Sequence, residues 1–307
     1  MRRCRAFTLV ELLISLIITG LVMAALITLF FSVFKSYEFH QDITEAKQRG
    51  HIALAAIQPF VLNAGLGLPN TEADFQNAFS GMTKLLPVDN TKKFSGYVQL
   101  ASDDTYKLTA THEAPALWLV YSVPGGAGVN YEYQLPANTD VVVPLEGFDN
   151  LSATTNLSTN AQLIESWVSF PSTTAPFRNV ATPLSPNLTL RFSSPTSSAV
   201  QTVAAFDEVH FVRAAKIFVR NNTLMIDRLL QGSNPQPAVD GIAGLWCTFD
   251  PDENRVLTVR VLARASTSRT PGIQSGIEGW PTAADAHWPR DSKYRYVVVS
   301  RSWRIRN

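Results

Sequence analysis

Cysteine is nearly missing from this chain: 307 residues contain two, Cys4 and Cys247. Cys4 lies among basic residues ahead of a long apolar run, and if that leader is removed Cys247 is left alone. An intramolecular disulfide is then excluded, and the fold must hold by packing. Histidine is almost as scarce. His40, His51, His112, His210 and His287 are far apart, none in a zinc-ligand spacing, and no motif orients any of them as a base. Charge of one sign is absent too, since the formal net charge is +1, so the overall balance does not ask for nucleic acid or an acidic partner. There is no internal repeat. With 46% hydrophobic and 17% charged residues, the composition is that of a folded protein able to bury a core.

Several local features invite a search for chemistry, and each has a plainer reading. Cys247, in GLWCTFD on an apparent strand, reads as a small buried hydrophobe with no neighbouring His to activate it. In DPDENR, Asp250, Asp252 and Asn254 alternate as at the start of a calcium loop. Arg255 stands in place of the required Gly, however, and Val261 in place of the bidentate Glu, so a polar hairpin turn is expected and no metal. PGGAG at 124–128 lacks the Lys and Ser/Thr of a phosphate loop and reads as a turn. Near the C-terminus, Lys293, Arg295, Arg301, Arg304 and Arg306 accompany Tyr294, Tyr296 and Trp303, a set that can hold a DNA backbone by charge and stacking. By period-2 counting the basic residues do not keep to one side of a strand, so a solvated face is expected and DNA binding is not. Trp280 and Trp288 suit either a contact surface or anchors for packing. No catalytic residue, cofactor site or metal site is expected anywhere in the chain.

What the chain does have is RRCRAFTLVELLISLIITGLVMAALITLFFSVFK. The 23 residues from Leu12 to Phe34 carry no formal charge and are long enough to span a bilayer as a helix. A cleaved signal peptide fits poorly, because its apolar stretch is shorter and ends at a small-residue cleavage site. An ordinary signal anchor fits the length, and Arg2, Arg3 and Arg5 would keep the N-terminus cytoplasmic. It leaves Glu11 unexplained.

AFTLVELL at 6–13, after a short basic leader, resembles the processing site of type IV prepilins and type II secretion pseudopilins. The resemblance implies a cut by prepilin peptidase between Ala6 and Phe7, N-methylation of Phe7, and a role for Glu11 in guiding assembly. The chemistry is consistent: a carboxylate in low dielectric is costly unless paired, and the cationic amine of a neighbouring subunit's Phe7 is a suitable partner. Two departures are plain. The family usually has Gly before the cut, where this chain has Ala6, and Pro is common in the membrane helix where this chain has Thr28. Gly20 matches a position where many members have Gly.

Beyond Phe34 a helical pattern continues. Phe39, Ile43, Ala46, Gly50, Ala53, Ile57 and Phe60 recur at spacings of three and four, while Lys35, Glu38, Asp42, Glu45, Lys47 and Arg49 fall off that stripe. The helix is therefore expected to run unbroken from Phe7 toward residue 57, about 75 Å at the α-helical rise. Pro59 is expected to kink or end it, with Gly65 and Gly67 beyond. The stripe serves either as a core face or as a subunit contact, on different parts of one helix.

From about Leu66 the chain reads as short strands. Candidates are ALWLVYSV at 116–123, VNYEYQL at 129–135, DVVVPL at 140–145 and LTLRF at 188–192. Between 151 and 200, 27 of 50 residues are Ser, Thr, Asn or Pro, which predicts long loops and raises the idea of an adhesive or glycosylated surface. AKIFVRNNTLMIDRLL at 215–230 reads as a hairpin turning at Asn221 and Asn222. A second pair, IAGLWCTFD with NRVLTVRVLARAS, turns at 251–253, and YRYVVVSRSWRIRN closes the chain as a strand. QRGHIALAAIQPFVLNAGLG, LMIDRLL, GIAGLWCTFD and RSWRIRN together resemble the PilW-type minor pilins more narrowly.

The expected fold is α+β: a long N-terminal helix, half membrane and half amphipathic, with a C-terminal antiparallel β-rich domain. Its divisions are a leader at 1–6, a membrane and filament-core helix at 7–34, an amphipathic helix at 35–63 and an outer domain at 64–307. The resemblance implies a minor pilin that helps prime assembly near a filament tip. Its partners would be prepilin peptidase, other minor and major pilins, the inner-membrane assembly platform and, before assembly, membrane lipid. It would first sit in the inner membrane with its outer domain periplasmic, then in a pilus at the cell surface. A type II secretion pseudopilin is the alternative within the class, and a membrane-anchored periplasmic enzyme or binding protein the alternative outside it.

Overall fold

The computed structural model of the chain describes residues 9–69, 71–79, 96–101, 113–151, 167–181, 186–228, 234–250, 255–268, 277–285, 287–288, 291 and 293–305. A single helix, α1 (Leu9–Leu62), is followed by an antiparallel β-rich domain. At 54 residues α1 is about 80 Å long. It runs through Pro59 and does not stop near residue 57. Pro59 and Ala55, whose carbonyl loses its helical donor, both lie on the exposed face near the end of the helix, where the loss is least costly. Asn63 Nδ2 donates to the Pro59 carbonyl at 3.0 Å and closes the last turn. A short helix that the strand-only expectation lacked follows, α2 (Glu72–Ala78), capped by Thr71, whose hydroxyl accepts from the Asp74 N–H at 3.2 Å and donates to the Asp74 carboxylate at 2.7 Å.

The spine of the domain is a pair of 13-residue strands, β3 (Ala116–Gly128) and β10 (Glu208–Arg220), antiparallel to each other. Strand β1 (Val98–Ala101) flanks β3, while β6 (Trp167–Ser169) and β11 (Thr223–Asp227) flank different stretches of β10. The sheet continues from β6 through β7 (Phe177–Asn179) and β8 (Asn187–Arg191) to β5 (Val141–Pro144), and from β11 to β12 (Gln236–Asp240). A second sheet runs in the order β15 (Tyr296–Arg304), β14 (Val256–Arg264), β13 (Ile242–Asp250) and β2 (Glu113–Ala114). Strands β4 (Tyr133–Pro136) and β9 (Val200–Val203) form a small third sheet.

The β10–β11 hairpin turns at Asn221 and Asn222 with φ of 53° and 58°, the left-handed conformation that asparagine tolerates. PGGAG is not a turn: it is the last stretch of β3, and the bare Gly125 lets the Val209 carbonyl and the Phe211 ring approach within 3.0 Å of where a Cβ would stand. The residues between β13 and β14, at 251–254, lie outside the described residues.

Two cores result. The larger joins the buried face of α1 to β1, β3, β10, β13, β14 and β15, with Ile57, Leu117, Leu119, Ile217, Leu257 and Val259 fully enclosed. The other gathers Leu135, Val143, Phe170, Phe177, Leu190 and Phe211, in which Phe177 stacks edge-on to Phe170 at 5.7 Å and to Phe192 at 5.8 Å. A small cluster on the outer face of the second sheet takes Trp246, Leu262, Trp280 and Tyr296, closed by α3 (Thr282–Asp285).

Candidate functional site

The stretch most unlike the rest of the molecule is the first half of α1. Every residue from Leu9 to Tyr37 is exposed, including Leu9 at 78%, Leu21 at 68% and Phe30 at 67%. This is the one helix among the described residues long and apolar enough to cross a membrane. Ser15, Thr19 and Thr28 donate their hydroxyls to carbonyls four residues earlier, including that of Glu11 at 2.8 Å, so these polar side chains are satisfied within the helix. Gly20 has nothing within 4 Å of a Cβ position and the helix passes through it unbroken. Glu11 lies in the first turn of α1, where a carboxylate favours the positive end of the helix dipole. Ala6 and Phe7 lie outside the described residues.

The second half of α1 is bound to the domain. Asp42 is the first buried residue, followed by Ala46, Gly50, Ala53, Leu54, Ile57, Phe60 and Val61. The stripe is thus shifted from the one expected: Asp42 is 2% exposed, while Phe39 is 38% exposed. The reason is Arg295, just ahead of β15. Its guanidinium lies over the Phe39 ring at 4.3 Å, and its Nε is 3.8 Å from Asp42 Oδ2.

One turn on, Glu45 accepts from Arg49 at 2.8 Å and from both the hydroxyl and the N–H of Ser266, at 2.9 and 3.3 Å. Burial works against the Glu45 charge, but the Ser266 donors and the Arg49 guanidinium outweigh it and hold the carboxyl below its ordinary range. Gly50 lies flat on β14 and β15, and Arg301 of β15 donates to Gln58 at 2.7 Å. Past the helix the Asn63 carbonyl accepts from the Ser122 N–H at 3.0 Å, and the Leu66 carbonyl accepts from the Ser122 and Ser169 hydroxyls at 3.0 and 3.2 Å. Each fully buried Leu, Ile, Val or Phe contributes about 1.5–3 kcal/mol, against about 0–1 kcal/mol for a surface ion pair. The apolar stripe therefore sets how firmly the helix is held, and the polar contacts set where.

The other singled-out residues are scattered. His40 and His51 are exposed on α1, His287 faces Trp246 at 5.7 Å between ring centres, and His112 lies outside the described residues. His210 is buried in β10, where burial lowers its pKa against the opposing pull of Glu208 and Asp207. Cys247 is fully buried, and burial pushes its thiol far above the ordinary range. Among the described residues there is no group of three or more His, Cys, Asp or Glu placed to hold a metal ion. Asp250 ends β13 and Val261 is buried in β14, while Asp252 and Asn254 lie outside the described residues.

Trp280 and Trp288 both pack over Gly244, and Trp288 donates to the Leu245 carbonyl at 3.0 Å, so they are packing anchors. Tyr296 and Trp303 are buried, and Arg264 covers one face of the half-buried Tyr294; Lys293 and Arg304 are exposed and Arg306 is outside the described residues. Sequence reasoning missed Asp42 and Arg295 as a docking pair, and their separation in the chain left no local signal.

The family model described as the prokaryotic N-terminal methylation motif matches residues 1–27. That motif is the signature of type IV prepilin-like proteins, and it implies processing by prepilin peptidase and assembly with other pilins. No curated protein and no solved structure matches the chain.

Proposed function

We propose that this chain is a PilW-type minor pilin, cut between Ala6 and Phe7, N-methylated on Phe7 and built into a type IV pilus through α1. The observation that carries the reading is the methylation motif at 1–27 running without a break into a helix whose apolar half is bare and whose other half is locked to a β-rich domain. Residues 1–6 are the leader, 7–34 the membrane and filament-core segment, 35–63 the docked segment and 64–307 the outer domain. Before assembly, lipid covers the apolar half, with the leader cytoplasmic and the outer domain periplasmic. In the filament, neighbouring pilin helices replace the lipid, and Glu11 pairs with the amine of an adjacent subunit's Phe7. The protein acts with other minor pilins on the inner-membrane assembly platform to prime growth, near the tip. No catalysis is assigned to it, in keeping with a class that is typically structural.

The motif is equally that of type II secretion pseudopilins, and the genes surrounding this one separate the two roles. Intact mass and N-terminal sequencing of membrane-extracted protein, with and without prepilin peptidase, test the central claim. A chain starting at N-methylated Phe7 only when the peptidase is present is expected. A chain starting at Met1 in both would overturn it and favour a simple anchored protein.

A further inference from the structure

Arg213 sits midway along β10, opposite Tyr121 of β3, and is 6% exposed. Its Nη1 donates to the Val212 carbonyl at 3.0 Å, and its guanidinium carbon is 5.3 Å from the centre of the Phe211 ring. Its buried Nη2 has no hydrogen-bond partner among the described residues. A guanidinium keeps its charge under all ordinary conditions, and an enclosed charge without a counterion is strongly unfavourable. Burial lowers the Arg213 pKa, with Tyr121 opposing the shift.

The neighbourhood adds a second cation. Asp227, the last residue of β11, pairs with Lys216, so the alternation of strand side chains puts the next residue, Arg228, on the face of Ile217, Ala215 and Arg213. Burial raises the Tyr121 pKa, and the positive charges of Arg228 and Arg213 oppose that shift. Arg228 is exposed, and neither arginine has an ion pair among the described residues. Lys216 belongs to the other face, where its ammonium lies over Trp118 and Phe218 at 5.2 and 4.5 Å. The Phe60 ring, packed on Tyr121 at 5.1 Å, roofs the group with the end of α1.

We propose that Arg213, Tyr121 and Arg228 form an oxyanion site, in which Arg213 Nη2 and the Tyr121 hydroxyl donate to the anion and Arg228 closes it from the solvent side. The chemistry fits a compact phosphate or carboxylate group, free or carried on a larger molecule, because a planar guanidinium fork matches two oxygens of either. Such a site would link ligand binding to the far end of the assembly helix through Tyr121 and Phe60.

Thermal unfolding of the full chain in maltoside detergent, at fixed ionic strength in chloride, inorganic phosphate or acetate, tests the site. Phosphate or acetate at ten times its dissociation constant is expected to raise Tm by about 2 °C over chloride. The rise should vanish in Arg213→Met and shrink in Arg228→Gln, a surface change that leaves packing intact. Two results would overturn the proposal: no rise over chloride in the unaltered chain, or an equal rise in both variants.

Discussion

Gly50 lies so close to Val299 that a Cβ on the glycine would stand 2.5 Å from Val299 Cγ2 and 3.0 Å from its Cβ. The contact is the closest approach of α1 to the second sheet among the glycines of the helix, and it lets flat backbone rest on a β-branched side chain. Val299 is stiff about χ1 and cannot turn aside cheaply.

Gly50→Ala therefore sets two effects against each other. Alanine is favoured over glycine inside a helix by about 1 kcal/mol, whereas overpacking a tight contact costs about 1–3 kcal/mol. A net fall in Tm is expected. Val299→Ala should rescue it, so that the double variant loses less than the two single ones added. A cycle with no coupling would mean that helix and sheet separate without cost at this point.

The Asp42 pair gives a second test. Asp42 is buried, while the Arg295 side chain is 23% exposed. Removing the carboxylate leaves a partly solvated cation over Phe39, and because Arg295 can reach water the cost is placed at about 1–3 kcal/mol, below that of breaking a fully buried pair. Asp42→Ala should lower Tm and speed proteolysis across residues 38–45 while β13, β14 and β15 keep their amide protection. Arg295→Lys keeps the charge but loses the planar stack on Phe39, and is expected to cost less.

Those residues also mark where sequence stops being enough. The Asn221–Asn222 hairpin was readable because turn geometry is chosen by the two residues that make it. The apolar run of α1 was readable because its length speaks for itself. Thr71 and Asp74 carried a capping signal that went unused, because the short helix between strand candidates has too few residues to show a period. Asp42 was misplaced for a different reason. A charge on a helix is solvated by default, and Arg295, brought from the far end of the chain, helps to make the buried position tolerable. PGGAG failed likewise: its glycines answer to the Val209 carbonyl and the Phe211 ring across the sheet, not to a turn.

Glu45 gives the docked helix a pH dependence. Its folded carboxyl titrates below the ordinary value of 4.5, so the folded state binds the proton less readily than the unfolded chain. Its contribution is complete above that value and is lost as pH falls through the folded pKa. Glu45→Gln should thus be less stable than the unaltered chain at pH 6, and the gap should close in acid below pH 4.5. A gap that holds constant with pH would mean that Glu45 acts by shape and not by charge.

Cys247 offers a check on the core. It is 0% exposed, and burial opposes the thiolate. In protein processed at Ala6 it is the sole thiol, so maleimide should label nothing until the chain is unfolded. Labelling of the folded chain would place β13 at a mobile surface.

Glu11 carries the functional proposal. A carboxylate among hydrocarbon costs about 3 kcal/mol by insertion scales, so an anchor alone gains nothing from having one. If its worth lies in meeting the amine of a neighbouring Phe7, then Glu11→Ala should insert at least as well as the unaltered chain, fold its outer domain normally and yet fail to enter filaments. Glu11→Gln keeps the shape and one acceptor oxygen but not the charge, and should fail nearly as badly. Measured as minor-subunit content of sheared pili against total membrane protein, normal incorporation of both variants would remove Glu11 from assembly and leave the helix an anchor only.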